Sequence, residues 1–151
     1  MKVSIDVRGG RKGWEPASIE KLSLFALEHM GVPERCELSV SLVGTEEIHE
    51  LNREYRGVDR PTDVLSFECE SPWDALDSAE PIELGDVVIA PDVVDEQRAR
   101  FNTSFEQEAS LMLVHSILHL LGYDHIDDDE AELMEAKEKE ILDAYGLEGI
   151  R

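Results

Sequence analysis

The stretch HSILHLLGYDH, His115 to His125, constrains this chain more than any other, and it carries three of the five histidines. The run before it, Ser104 to Val114, reads as a helix that becomes apolar nearly all round, which marks a core element rather than a surface one. His115 and His119 are four apart, so on a helix they are neighbours on one face. Gly122 permits a sharp left-handed turn, and that turn can return His125 toward the same point. Burial on an apolar helix favours the neutral imidazole that a metal needs. Three such rings form an open-sided set suited to one zinc ion per chain, with a fourth position left for water. Asp124, beside His125, is a candidate to orient a ring from outside the ligand set. A single histidine here would be an ordinary core residue; three at this spacing around a glycine favour a metal. His29 and His49 each sit alone in an amphipathic helix and have no such reading.

The rest of the chain alternates strand and helix patterns. Lys2–Arg8 alternates apolar and polar residues as a strand does, and Gly9 and Gly10 break it. Pro16–Met30 has helical apolar spacing, ended by Gly31 and Pro33. Glu37–Val43 is a second strand. Thr45 is the expected N-cap of a helix that carries Ile48, Leu51 and Tyr55 on one face and ends near Arg56. Gly57–Asp63 reads as a loop, Val64–Phe67 as a short strand, and Glu68–Pro81 as an irregular acidic segment anchored by Trp73. Leu84–Ala90 is a further strand, followed by a helix from Pro91 to about Phe101. Ser104 with Gln107 fits a capping box at the start of the long apolar helix, and Asp127 with Glu130 fits a second one. The last helix runs to about Tyr145, before Gly146. With no repeat or low-complexity linker, the reading is one domain, residues 1–151, of mixed α/β (α+β) class. It has about four strands and four to five helices, with the zinc site on a central buried helix.

At 151 residues the chain is long enough to remove roughly two-thirds of its unfolded surface on folding. No apolar run approaches the ~20 residues of a membrane span, and the N-terminus has no secretory h-region. Cys36 and Cys69 form no CxxC and read as reduced thiols, so the expected compartment is the cytoplasm. The net charge of -21 disfavours non-specific binding to nucleic acid or anionic membranes. The bases nevertheless cluster, as Arg8, Arg11 and Lys12, and again as Arg53, Arg56 and Arg60. A local basic site on an acidic body is compatible with this pattern.

The spacing H-x-x-x-H-x-x-G-x-x-H is also that of metzincin metallopeptidases, which place a glutamate base directly after the first histidine. Here that residue is Ser116. The ligand spacing is retained, and the group that would activate water for peptide hydrolysis is missing.

HSILHLLGYDH closely resembles the signature H-G-x-L-H-L-x-G-Y-D-H of the YbeY-type endoribonucleases, bacterial ribosomal-RNA maturation factors. LNREYRGVDRPTDVLSF, Leu51 to Phe67, and LGDVVIA, Leu84 to Ala90, are similar to that family's blocks in the same order. The resemblance covers most of the chain from Leu38 onward. Ser116 stands where the family has glycine, and Glu68 where it commonly has proline. The resemblance implies a zinc-dependent, single-strand-specific endoribonuclease of the bacterial cytoplasm. It implies action in small-subunit ribosomal RNA maturation and ribosome quality control. Single-stranded or ribosomal RNA, and the ribosome or its small-subunit proteins, are the implied partners. The family's metal ligands fall on His115, His119 and His125, and its functional arginine on Arg56.

Arg56 offers a rigid fork of donors that matches phosphate geometry, which suits a transition-state clamp. An arbitrary arginine would instead pair with a nearby acid such as Glu54 or Asp59. Arg53 and Arg60 are weaker candidates for tracking the RNA backbone, and no general base is assigned. Two rivals remain at this stage. One is a metallopeptidase. The other is a non-catalytic ribosome assembly factor with a structural zinc, which needs a fourth protein ligand from Cys69, Asp124 or the C-terminal acids.

Overall fold

Alternating patterns become strands and 3.6-residue patterns become helices along the described residues. The structure is a computed structural model that describes residues 1–73 and 79–147. Among these, the strands are β1 (Lys2–Val7), β2 (Cys36–Leu42), β3 (Val64–Glu68) and β4 (Ile82–Ile89). The helices are α1 (Pro16–His29), α2 (Thr45–Arg56), α3 (Pro91–Phe101), α4 (Phe105–Leu120) and α5 (Asp128–Tyr145). The middle of the expected irregular segment, residues 74–78, lies outside the described residues. Both cysteines are free; Cys36 is buried and Cys69 exposed. Burial in the core raises the pKa of the Cys36 thiol.

Local chemistry places most of the ends. Pro16 and Pro91 occupy the first turn of α1 and α3, where the missing N–H costs nothing. The capping box of α4 is complete: the Gln107 N–H donates to Ser104 Oγ at 3.1 Å and the Ser104 N–H donates to Gln107 Oε1 at 2.9 Å. Asp127 caps α5 by accepting the Glu130 N–H at 2.8 Å. The expectation of Thr45 as a cap is corrected: Gly44 holds the N-cap position of α2, Thr45 is already helical, and no side chain caps that end.

The four strands form one mixed sheet in the order β1-β2-β4-β3, with β1, β2 and β4 parallel and β3 antiparallel to β4. β4 begins at Ile82, two residues earlier than its sequence pattern suggests, and Gly85 is part of a bulge. The register against β2 slips between Glu37 and Leu38. Ile82 and Leu84 before the slip, and Val87 and Ile89 after it, all reach the same core. A regular strand would turn one of those pairs to the other face. Gly85 has φ +136°, and a Cβ there would lie 2.1 Å from the Phe67 carbonyl oxygen.

The large core lies between one face of the sheet and helices α1, α3, α4 and α5. α4 is its central rod: it packs on α1, α3, α5, β3 and β4, and its residues from Ala109 to Leu120 are largely buried. α2 covers the other face with Ile48 and Leu51 over Val43, Leu65 and Val88. The edge strand β3 is therefore flanked by α2 on one face and by α4 on the other.

Candidate metal centre

The centre is built by the way α4 stops. The Gly122 N–H donates to the His119 carbonyl at 3.1 Å and the Tyr123 N–H donates to the Leu118 carbonyl at 3.0 Å. This is the Schellman pair of bonds, which needs a left-handed residue at Gly122; its φ is +104°. A Cβ on Gly122 would meet nothing within 4 Å, so backbone conformation rather than space makes glycine suitable there. The chain then turns back, and the His125 N–H donates to Asp124 Oδ1 at 2.8 Å, which holds the turn.

This arrangement brings the three histidines together. Ring centroids are 4.8 Å apart for His115–His119, 5.0 Å for His119–His125 and 5.5 Å for His115–His125. One nitrogen from each ring falls in a set whose members lie within 4.8 Å of one another, so the three could hold a metal ion. Burial, then the neighbouring His115 and His125, push the pKa of His119 below its ordinary value. Burial thus favours the neutral form of His119, which is the form a metal requires. His125 is the exposed member and opens the set to solvent.

Sequence reasoning missed Glu138. Its carboxylate hydrogen-bonds His115 Nδ1, and its side chain is only 10% exposed. One signal was available: Glu138 lies in line with Met134, Ile141 and Leu142, the buried stripe of α5, where an acid is out of place. The proposed ring-orienting role of Asp124 is corrected. Its Oδ1 serves the His125 backbone and stands 4.0 Å from that ring's Nδ1, beyond hydrogen-bond distance.

Among the described residues no fourth histidine, cysteine or acid joins the cluster. Cys69 is exposed in the segment after β3 and Asp124 bonds its neighbour's backbone, so neither completes a structural site. Ser116 is fully buried and its hydroxyl has no partner among the described residues. The position after the first histidine thus faces the core, not the open side of the cluster. A groove of about 610 Å³ runs beside His115 and His125 between α4 and α5, with Leu111, Met134, Glu138 and Lys139 in its walls.

Trp73 is an anchor, as its composition context suggests: its indole Nε1–H donates to the Leu121 carbonyl at 3.0 Å and ties the segment after β3 to the end of α4. Arg56 does not lie in the cluster. It is the exposed last residue of α2, across the edge strand from the histidines, next to Tyr55, whose ring packs edge-on against Phe67 of β3 at 5.3 Å. Among the described residues Arg53, Arg56 and Arg60 make no ion pair. Asp59 is taken by His49 at 2.8 Å. In the other basic cluster both arginines have acid partners: Arg8 pairs with Glu47 and Asp6, and Arg11 reaches Asp95 and lies over the Phe105 ring. His29 hydrogen-bonds Glu140 at 2.6 Å, so both remaining histidines have ordinary carboxylate partners.

The fold and the centre define an α+β protein with three histidines, on a buried helix and its terminal turn, that could hold a metal ion. A family profile described as Endoribonuclease YbeY matches residues 14–146, and the chain belongs to that family. It is 46% identical over 133 residues to the Endoribonuclease YbeY of Bacillus subtilis, with 85% of each chain covered. It is 40% identical over 149 residues to that of Bacillus pumilus, covering 95% of this chain and 93% of the relative. A solution structure of a Thermotoga maritima protein is also similar, with a TM-score of 0.57 and 29% identity, covering 95% of this chain and 91% of that one.

Proposed function

We propose that this protein is a zinc-dependent endoribonuclease that cleaves single-stranded RNA, with His115, His119 and His125 as zinc ligands and Arg56 as the phosphate-binding group. Its substrate class is small-subunit ribosomal RNA, its partners are the ribosome and its small-subunit proteins, and its compartment is the cytoplasm. No helix among the described residues is long and apolar enough to cross a membrane, which is compatible with that placement.

The observation that carries the reading is the open set of three imidazoles with no fourth protein ligand among the described residues. Structural zinc is normally closed by four protein ligands, whereas catalytic zinc keeps a position free. When bound, zinc supplies Lewis acidity and activates water for attack near neutral pH. The chain's own residues do the rest. Burial favours the neutral imidazole of His119. The exposed side of the set, at His125, admits the phosphodiester. Arg56 has no competing acid partner among the described residues, so its five donors are available to a phosphate. Arg53 and Arg60, one turn before it and in the loop after it, add charge along the same edge and offset the repulsion expected from a chain of net charge -21.

His119→Ala tests this. The wild-type protein is expected to bind one zinc per chain and cleave a single-stranded oligoribonucleotide but not casein, and the variant to lose both stoichiometric zinc and RNA cleavage. A variant that still binds one zinc per chain overturns the ligand assignment. Cleavage of casein by the metal-loaded wild type, without RNA cleavage, overturns the nuclease reading.

A further inference from the structure

We propose that Glu138 is a positioning residue of the metal centre: by accepting the Nδ1–H of His115 it commits that ring to presenting Nε2 to the metal. The role rests on the metal-centre reading above, and the contact itself does not.

Glu138 sits where the fold has no use for a carboxylate except at His115. It occupies the stripe of α5 that buries Met134, Ile141 and Leu142 against α4. Overall the residue is 7% exposed. A buried acid in an apolar stripe is costly unless it is hydrogen-bonded. Its partner is His115 Nδ1, from a helix 23 residues earlier in the chain. An ionised carboxylate only accepts, so the Nδ1 it faces carries the proton. Neutral imidazole has one N–H, and the bare lone pair is then on Nε2, the nitrogen left to ligate. Carboxylate–histidine–metal chains of this kind fix the tautomer and the ring orientation and raise the basicity of the ligand.

The other acids near the centre do not share this role. Asp124 holds the backbone turn at His125 and lies too far from its ring. Glu135 and Asp143 line the adjoining groove and are exposed. His119 instead has a backbone partner, Tyr123, in the cap of its own helix, and His125 follows the turn after Gly122. Among the described residues, His115 is thus the one ligand whose ring hydrogen-bonds a side chain from another helix, which gives the acidic C-terminal helix a function beyond covering the core.

Glu138→Ala and Glu138→Gln separate this role from packing. Gln keeps an acceptor oxygen of the same reach and loses the charge; Ala removes the acceptor. Two measurements are needed: zinc affinity by competition with a chelating dye, and the ring tautomer of His115 in the metal-free protein by ¹⁵N NMR of the histidine side chains. The expected wild-type signature is Nδ1–H. Ala should shift it toward Nε2–H and weaken zinc binding by about 10- to 100-fold. Gln should keep the Nδ1–H signature and weaken zinc less. Loss of packing alone lowers the unfolding midpoint without moving the tautomer in this pattern. An Nε2–H ring in the wild type, or zinc bound by the Ala variant as tightly as by the wild type, overturns the proposal. A wild-type protein that takes up no zinc removes the metal-centre reading and with it the positioning role, whereas the tautomer then reports only whether the Glu138 contact exists.

Discussion

Arg56→Ala removes a side chain that the fold does not use. Arg56 is exposed at the end of α2, has no ion-pair partner among the described residues, and shares the last helical turn with Arg53. Its one folding contribution is a cation near the helix C-terminus, at the low end of about 0.3–1 kcal/mol for an exposed site. The unfolding free energy should therefore fall by about 0.5 kcal/mol or less, with little change in the urea midpoint. The catalytic cost should be much larger. Loss of one preorganised donor to developing oxyanion charge typically lowers the rate by about 10²- to 10³-fold, or about 2.7–4 kcal/mol. Arg56→Lys should fall between, since it keeps the charge and loses the two-pronged geometry. Binding gives a second readout. One lost phosphate contact to a single strand should lower the slope of log affinity against log salt by about 0.7. The assays are single-turnover cleavage of an end-labelled oligoribonucleotide by zinc-loaded protein, a salt titration of RNA binding, and a urea melt. Normal cleavage with an unchanged salt slope refutes the clamp. A large fall in the urea midpoint refutes the premise that Arg56 is free.

Two further outcomes follow from the packing and the charges. Gly85→Ala should destabilise the protein by about 2 kcal/mol or more, because it adds a clash to backbone strain: a Cβ there would meet the Phe67 carbonyl oxygen at 2.1 Å and Leu120 at 3.2 Å. An unchanged urea midpoint would show that the bulge is not needed. At the surface, His29 and then Lys137 hold the Glu140 carboxyl below its ordinary pKa. A lowered carboxyl pKa means that the unfolded chain takes up the proton first as pH falls. The contribution is therefore present above the ordinary carboxylate range and is lost as pH drops through the lowered value. Glu140→Gln should flatten that part of the stability-versus-pH curve, and an identical acid limb in the variant would count against the pair.

Much of the centre was readable because its geometry is local. A spacing of four on a helix and a glycine at the helix end act within a single turn and its cap, so HSILHLLGYDH carries most of its own folding instructions. The caps at Ser104 and Asp127 are legible for the same reason. Thr45 failed as a cap because it is already the first helical residue, and the N-cap position falls one residue earlier, on Gly44. The start of β4 at Ile82 rather than Leu84 was not legible, because the bulge at Gly85 shows only once the register of the neighbouring strand is known. The two basic clusters look equivalent in sequence. Only the fold shows that Glu47, Asp6 and Asp95 neutralise Arg8 and Arg11, while no acid among the described residues pairs with Arg56.

His115, His119 and His125 were therefore determined as a group by sequence alone, since each is placed by backbone hydrogen bonds spanning a few residues. Tertiary structure decided what surrounds them. Glu138 reaches His115 because α5 packs on α4, Trp73 reaches Leu121 because the segment after β3 folds back, and Arg56 faces solvent across the edge strand. Those partners are chosen by the burial of side chains far apart in the chain, and such choices depend on the whole core rather than on any local pattern.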